Sequence, residues 1–183
     1  TGTNNLGNNW SAVSLFGSGT GNVIGGASAA EGNLISANGA SAIYLFGAGS
    51  GSVVQGNWIG IAATGTATLG TSTQGIEVSG TSNGVAILDN WIAGGSGDGI
   101  HVASDITGTV IQGNRIGTNA AGTAGVGNDS NGVYIVDGPN NQILDNLMAG
   151  NDGNGLAIEN GAGAGSADGT IVRGNAIGTN AAG

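Results

Sequence analysis

The stretch GVAILDNWIAGGSGDGIHVASDITGTVIQGNRIG, residues 84–117, contains every part of a frame that organises the whole chain. In DGIHVAS, Ile100 and Val102 alternate with His101, so two apolar side chains point one way and the residue between them points the other. In GTVIQGNRIG a second apolar burst runs into an asparagine and straight on into a third. Alternation of period 2 in bursts this short describes strands, and the Gly, Asn, Asp and Ser between them describe tight turns.

The same frame recurs along the sequence. First bursts are SAVSLFG from Ser11, SAIYLFG from Ser41, QGIEVSG from Gln74, DGIHVAS from Asp98, NGVYIVD from Asn131 and NGLAIEN from Asn154. Second and third bursts run together as GSVVQGNWIG from Gly51, GVAILDNWIA from Gly84, GTVIQGNRIG from Gly108, NQILDNLMAG from Asn141 and GTIVRGNAIG from Gly169. The remaining copy, NVIGGASAAEGNLIS from Asn22, carries an insertion after its second burst. Three strands per repeat are too small to bury a face alone, so each repeat needs the next one stacked on it. The expected fold is all-β, a parallel β-helix of about six coils whose neighbours pair at about 4.8 Å. It fills residues 1–183 as one domain without caps.

An asparagine stands between the second and third strand of every coil: Asn33, Asn57, Asn90, Asn114, Asn146 and Asn175. A tight corner calls for a left-handed residue, which Asn accepts. Its amide also carries donors and an acceptor, so stacked copies can form a hydrogen-bonded ladder along the axis.

Composition agrees and narrows the partners. Glycine supplies 41 of the 183 residues, which disfavours long helices, while one proline argues against collagen-like or proline-rich structure. The 22 asparagines add further turn formers, and a positive mean hydropathy argues against disorder. Arg115 and Arg173 are the only basic residues apart from one histidine, and net charge is −9, which excludes nucleic acid as a partner and disfavours acidic polysaccharides. The lack of cysteine removes disulfides and thiolate chemistry, and no apolar run approaches a membrane span of about 20 residues.

The segments NVIGGASAAEGNLIS (22–36), GNWIGIAATGTATLG (56–70) and GNRIGTNAAGTAGVGN (113–128) resemble the right-handed parallel β-helix proteins related in fold to pectate lyases. Within that group they are similar to tandem repeats of very large secreted bacterial surface proteins. The resemblance covers essentially the whole chain. It implies right-handed winding, in keeping with the handedness of parallel crossovers, and an extracellular or cell-surface location.

Counted from the first inward residues Val13, Ile43, Ile76, Ile100, Val133 and Leu156, the coil steps are 30, 33, 24, 33 and 23 residues. The coils starting at Ile43 and Ile100 owe their length to loops after the third strand, IGIAATGTATLG and IGTNAAGTAGVGN, in which Leu69 and Val126 are expected to fold back as small satellite cores. Joining IGTNAAG at Gly183 to TGTNNLGN at Thr1 reproduces that loop with two residues added. The chain thus reads as one period of a longer helix, either a piece of a tandem-repeat polypeptide or a subunit stacking head to tail on copies of itself. A cut through a repeat array would give the same match.

Outward positions of the first strands form a column of Ser14, Tyr44, Glu77, His101, Tyr134 and Ala157. Its middle four are the candidate glycan contacts, with Glu77 beside His101 able to run acid/base chemistry and the tyrosines able to hold sugar rings. The resemblance implies the same strand for carbohydrate-active members. Against catalysis, the Asp and Arg/Lys clusters of pectin-degrading relatives are missing, and the carboxylates are dispersed rather than paired as glycoside hydrolysis requires. Thr-x-Thr rows of the ice-binding kind are absent from the outward columns. GGSGDG at Gly94 resembles a calcium nonapeptide with its aspartate one place early and does not recur, so calcium at the acidic loops of Asp98 and Asp152 is the one cofactor left open. Trp58 and Trp91, with Leu34, Arg115 and Leu147 near them, are expected outward on adjacent coils as a lateral contact, between filaments or with a loop.

The resulting expectation is a non-enzymatic structural module of a bacterial extracellular fibre, filament or adhesin. The alternative is a carbohydrate-binding or carbohydrate-active helix that uses the first-strand column.

Overall fold

The computed structural model of the chain describes residues 4–17, 19–160 and 166–182. The join of Gly183 to Thr1 therefore lies outside the described residues. Eighteen short strands, numbered along the chain, form three parallel six-stranded sheets. The first sheet stacks β1 (Val13–Phe16), β4 (Ile43–Phe46), β7 (Ile76–Ser79), β10 (Ile100–Val102), β13 (Val133–Val136) and β16 (Leu156–Glu159). The second stacks β2 (Val23–Gly25), β5 (Val53–Gln55), β8 (Ala86–Leu88), β11 (Val110–Gln112), β14 (Gln142–Leu144) and β17 (Ile171–Arg173). The third stacks β3 (Leu34–Ile35), β6 (Trp58–Ile59), β9 (Trp91–Ile92), β12 (Arg115–Ile116), β15 (Leu147–Met148) and β18 (Ala176–Ile177). This is a right-handed parallel β-helix of six coils, and among the described residues no helix is long and apolar enough to cross a membrane.

Register is kept from coil to coil, which turns the repeat frame into columns. Val13, Ile43, Ile76, Ile100, Val133 and Leu156 are successive partners in the first sheet. Ile24, Val54, Ile87, Ile111 and Ile143 line up in the second, and Ile35, Ile59, Ile92, Ile116 and Met148 in the third. These side chains fill the interior and form one continuous core cluster. Complete burial of each contributes about 1.5–3 kcal/mol, and β-branched residues suit a pleated surface closed on one face. In the sixth coil the corresponding Val172 and Ile177 are 46% and 47% exposed.

The asparagine ladder forms, with a correction to the local geometry. The left-handed residue is the one before the asparagine: Gly56, Asp89, Gly113, Asp145 and Gly174 all have positive φ. The asparagine is thereby freed to turn its side chain into the corner. Each one uses its backbone N–H and one amide N–H on the Oδ1 of the next coil, as in Asn57 to Asn90 (3.0 and 3.0 Å) and Asn90 to Asn114 (2.9 and 3.0 Å). Asn33 to Asn57, Asn114 to Asn146 and Asn146 to Asn175 repeat the pattern. The second amide N–H donates backwards to the preceding coil, for example from Asn90 to the carbonyl of Val54 at 2.9 Å. The asparagine-to-asparagine bonds consequently have a direction, each running from N–H donors to the Oδ1 of the following coil. Asp89 also leans over the next corner, where a Cβ on Gly113 would lie 2.4 Å from Asp89 Oδ1.

The long loops of the second and fourth coils leave the body after Ile59 and Ile116 and return through antiparallel bridges, Ile61 with Thr68 and Thr118 with Gly125. They touch each other across the intervening third coil, Ala120 N–H donating to the Gly65 carbonyl. Ala181 N–H reaches Gly122 in the same way across the fifth coil. Val126 joins Ile61, Trp91, Ala93 and Ala120 in a satellite core, as expected from the sequence, whereas Leu69 is half-buried outside that cluster.

Candidate functional site

The outward column of the first sheet is in register: Ser14, Tyr44, Glu77, His101, Tyr134 and Ala157 are successive partners. The strand period places them there, and Tyr44, Glu77, His101 and Tyr134 are half-buried rather than fully solvated. The expected Glu77–His101 acid/base pair does not form as a unit, because each group is engaged elsewhere. Glu77 Oε2 accepts from Ser41 Oγ at 2.8 Å, while His101 Nδ1 lies 3.1 Å from Asp98 Oδ2.

From the sequence, Asp98 is expected in a loop and as a calcium candidate only. It is buried, and its Oδ1 accepts from Ser130 Oγ (2.7 Å), Asn131 N–H (3.0 Å) and the Asn131 amide (2.9 Å). Burial pushes its pKa up, but the hydrogen bonds from His101, Ser130 and Asn131 outweigh that and hold it down at about 2. With both oxygens accepting, Asp98 is a fixed anion that orients His101. Asp152 is exposed, and among the described residues no group of three or more His, Asp or Glu is placed to hold a metal ion.

The column divides into two halves. On the Tyr134 side, the tyrosine hydroxyl donates to Glu159 Oε2 at 2.8 Å, and that hydrogen bond raises its pKa. The Tyr134 ring stands edge-on to His101 with centroids 5.2 Å apart. On the Tyr44 side the neighbours are aromatic: Phe16 at 5.6 Å and Phe46 at 6.1 Å. Here a groove of about 580 Å³ is lined by Trp10, Phe16, Ser41, Tyr44, Gln74 and Glu77. Phe16 and Phe46 were legible in SAVSLFG and SAIYLFG, because the period that turns Ser14 and Tyr44 outward does the same to residues two places on. Trp10 precedes the first strand and has no periodic signal.

Of the two contacts expected for the Trp58–Trp91 stripe, between filaments or with a loop, Trp91 makes the one with a loop. The two residues are register partners whose rings meet edge-on with centroids 4.9 Å apart, yet Trp58 is 40% exposed and Trp91 only 5%. Trp91 is roofed by the long loops: its indole N–H donates to the Thr118 carbonyl, and a Cβ on Gly65 would lie 2.9 Å from its ring. Leu147 on the fifth coil is likewise buried, while Leu34 on the first coil is exposed. Arg115 is held back along the surface by donating to the Ala120 carbonyl.

Comparison with family models, with curated proteins and with solved structures finds no match to this chain.

Proposed function

We propose that the chain is a non-enzymatic structural repeat module of a bacterial extracellular fibre, surface filament or adhesin, extended by head-to-tail stacking of β-helix coils. The observation that carries this reading is axial continuity. Sheets, core columns and ladder run through six coils in one register, each coil covered by the next. The acidic surface, net charge −9, keeps such a rod dispersed. The bacterial surface location rests on the likeness of its repeats to those of large secreted proteins. Electron microscopy of purified protein tests the reading. Rods with an axial repeat of about 29 Å, six coils at about 4.8 Å each, are expected; isolated short particles at all concentrations would refute it.

A second reading has its own support in the groove beside Tyr44, whose aromatic faces and the polar groups of Ser41, Gln74 and Glu77 suit a neutral polysaccharide. Titration of a polysaccharide panel against the protein and a Glu77→Gln/His101→Ala variant separates the two. Equal, negligible binding by both proteins, with no turnover, leaves the structural reading alone.

A further inference from the structure

The groove beside Tyr44, about 580 Å³ in volume, lies on the outward face of the first sheet over its first three coils. The ring planes of Phe16 and Tyr44 meet at 78° with centroids 5.6 Å apart, so they stand as two walls of a corner and not as a flat platform. Trp10, 80% exposed, adds a third aromatic wall. Among the described residues, Glu77 is the one charged group that lines the groove. Ser41 Oγ lies 2.8 Å from Glu77 Oε2, 3.2 Å from Gln74 Oε1 and 3.0 Å from Thr73 Oγ1, so a single hydroxyl ties the polar edge together. It brings the carboxylate a hydrogen bond but no countercharge. The two arginines of the chain stand elsewhere, Arg115 on the third sheet and Arg173 on the second, and His101 is bonded to Asp98. Other aromatic positions differ in this respect. Tyr134 meets His101 edge-on and gives its hydroxyl to Glu159, and the cavity beside Trp58 is lined by Arg115, which places a cation there already.

We propose that this groove binds a small organic cation, a quaternary ammonium of the choline type, with Phe16, Tyr44 and Trp10 as its walls and Glu77 as its counter-ion. Ring faces attract a cation through the aromatic quadrupole, more strongly as the cation leaves water. A methylated ammonium has no N–H to satisfy and accepts a wall of rings. A primary ammonium carries three donors, which rings leave unmet. The corner of Phe16 and Tyr44 fits a compact tetrahedral head, whereas a sugar ring packs on a flat face. Glu77 supplies the opposite charge at the edge of that corner, and the net charge of −9 draws cations towards the surface. The groove thus takes a charged ligand here, where the polysaccharide reading gives it a neutral one, and the proposal is independent of stacking between copies.

Titration of isotope-labelled protein with choline chloride at constant ionic strength, followed by amide NMR, tests the proposal. Dimethylbutanol, the neutral isostere in which carbon replaces the charged nitrogen, is titrated in parallel, and cellotetraose forms a third arm. Saturable shifts at Ser41, Tyr44, Gln74 and Glu77 are expected with choline, and binding of dimethylbutanol is expected to be at least about fivefold weaker. Glu77→Gln should keep the dispersed spectrum of the folded chain and weaken choline about fivefold or more. Phe16→Leu, at a position 70% exposed, should keep the fold as well and weaken choline by a similar factor while leaving dimethylbutanol unchanged. Equal affinity for choline and dimethylbutanol overturns the proposal, as does undiminished choline binding by Glu77→Gln. Saturable shifts with cellotetraose and none with choline overturn it in favour of the glycan reading. A choline titration that never saturates, or that moves the acidic surface everywhere alike, overturns it as mere counter-ion screening.

Discussion

Asn90 sits in a buried corner with its amide oxygen accepting from Asn57 and its amide nitrogen donating to Asn114 and to the carbonyl of Val54. Removing such a side chain strands partners on two adjacent coils. Asn90→Ala is therefore expected to cost about 1–3 kcal/mol in urea unfolding. The exposed Asn33→Ala is expected to cost less than about 0.5 kcal/mol; equal costs would show that the ladder contributes through its end groups and not through buried satisfaction. Asp98 supplies a pH dependence. Its carboxyl is held at about 2 in the fold, below the ordinary aspartate value of about 3.9. The contribution is complete above about pH 4 and is lost as pH falls through about 2. Asp98→Asn should flatten stability against pH across that window, measured by denaturation at stepped pH. The ladder positions were legible because asparagine recurs at one place in every coil. The partnership of Asp98 with His101 and Asn131 was not, since it needs a side chain two residues before the strand to turn back under the column.

The long loops act as elements in their own right. They carry no regular strand beyond single bridges, yet two of them meet over the third coil and convert an outward tryptophan into the centre of a satellite core with Ile61, Ala93, Ala120 and Val126. Trp91→Ala is expected to cost about 3 kcal/mol or more, as for a buried aromatic, and Trp58→Ala, half-solvated on the neighbouring coil, clearly less; thermal melts of the two variants compare them. A simple alternation rule assigns both tryptophans to the outer surface and is right about direction. Exposure is a separate matter, decided by how far a loop from the next coil reaches. The same limit applies to the first sheet, where Phe16 and Phe46 follow from period 2 but the groove that Phe16 lines with Trp10 requires knowing where the chain enters the first coil.

For the whole molecule, stability is expected to be graded along the axis, because each coil contacts only its neighbours. Inward residues of the third and fourth coils are fully buried, among them Ile87 and Ile111, whereas Val172 of the sixth is open. Amide hydrogen exchange at low protein concentration should accordingly be at least about tenfold slower at Ile87 and Ile111 than at Val172. If the faces stack as proposed, raising the concentration should protect the sixth coil selectively.

The sequence by itself determined the class of fold, the number of coils, the inward columns and the ladder, because these follow from local periodicity repeated at one register, and repetition amplifies a weak local signal. It also marked which coils carry long loops. Only the tertiary structure decided which outward residues remain accessible and how Asp98 and Glu77 divide the column between them. Those outcomes depend on contacts between residues about 25–35 apart in the chain and off the strands, where side-chain reach and loop path, rather than period, set the geometry.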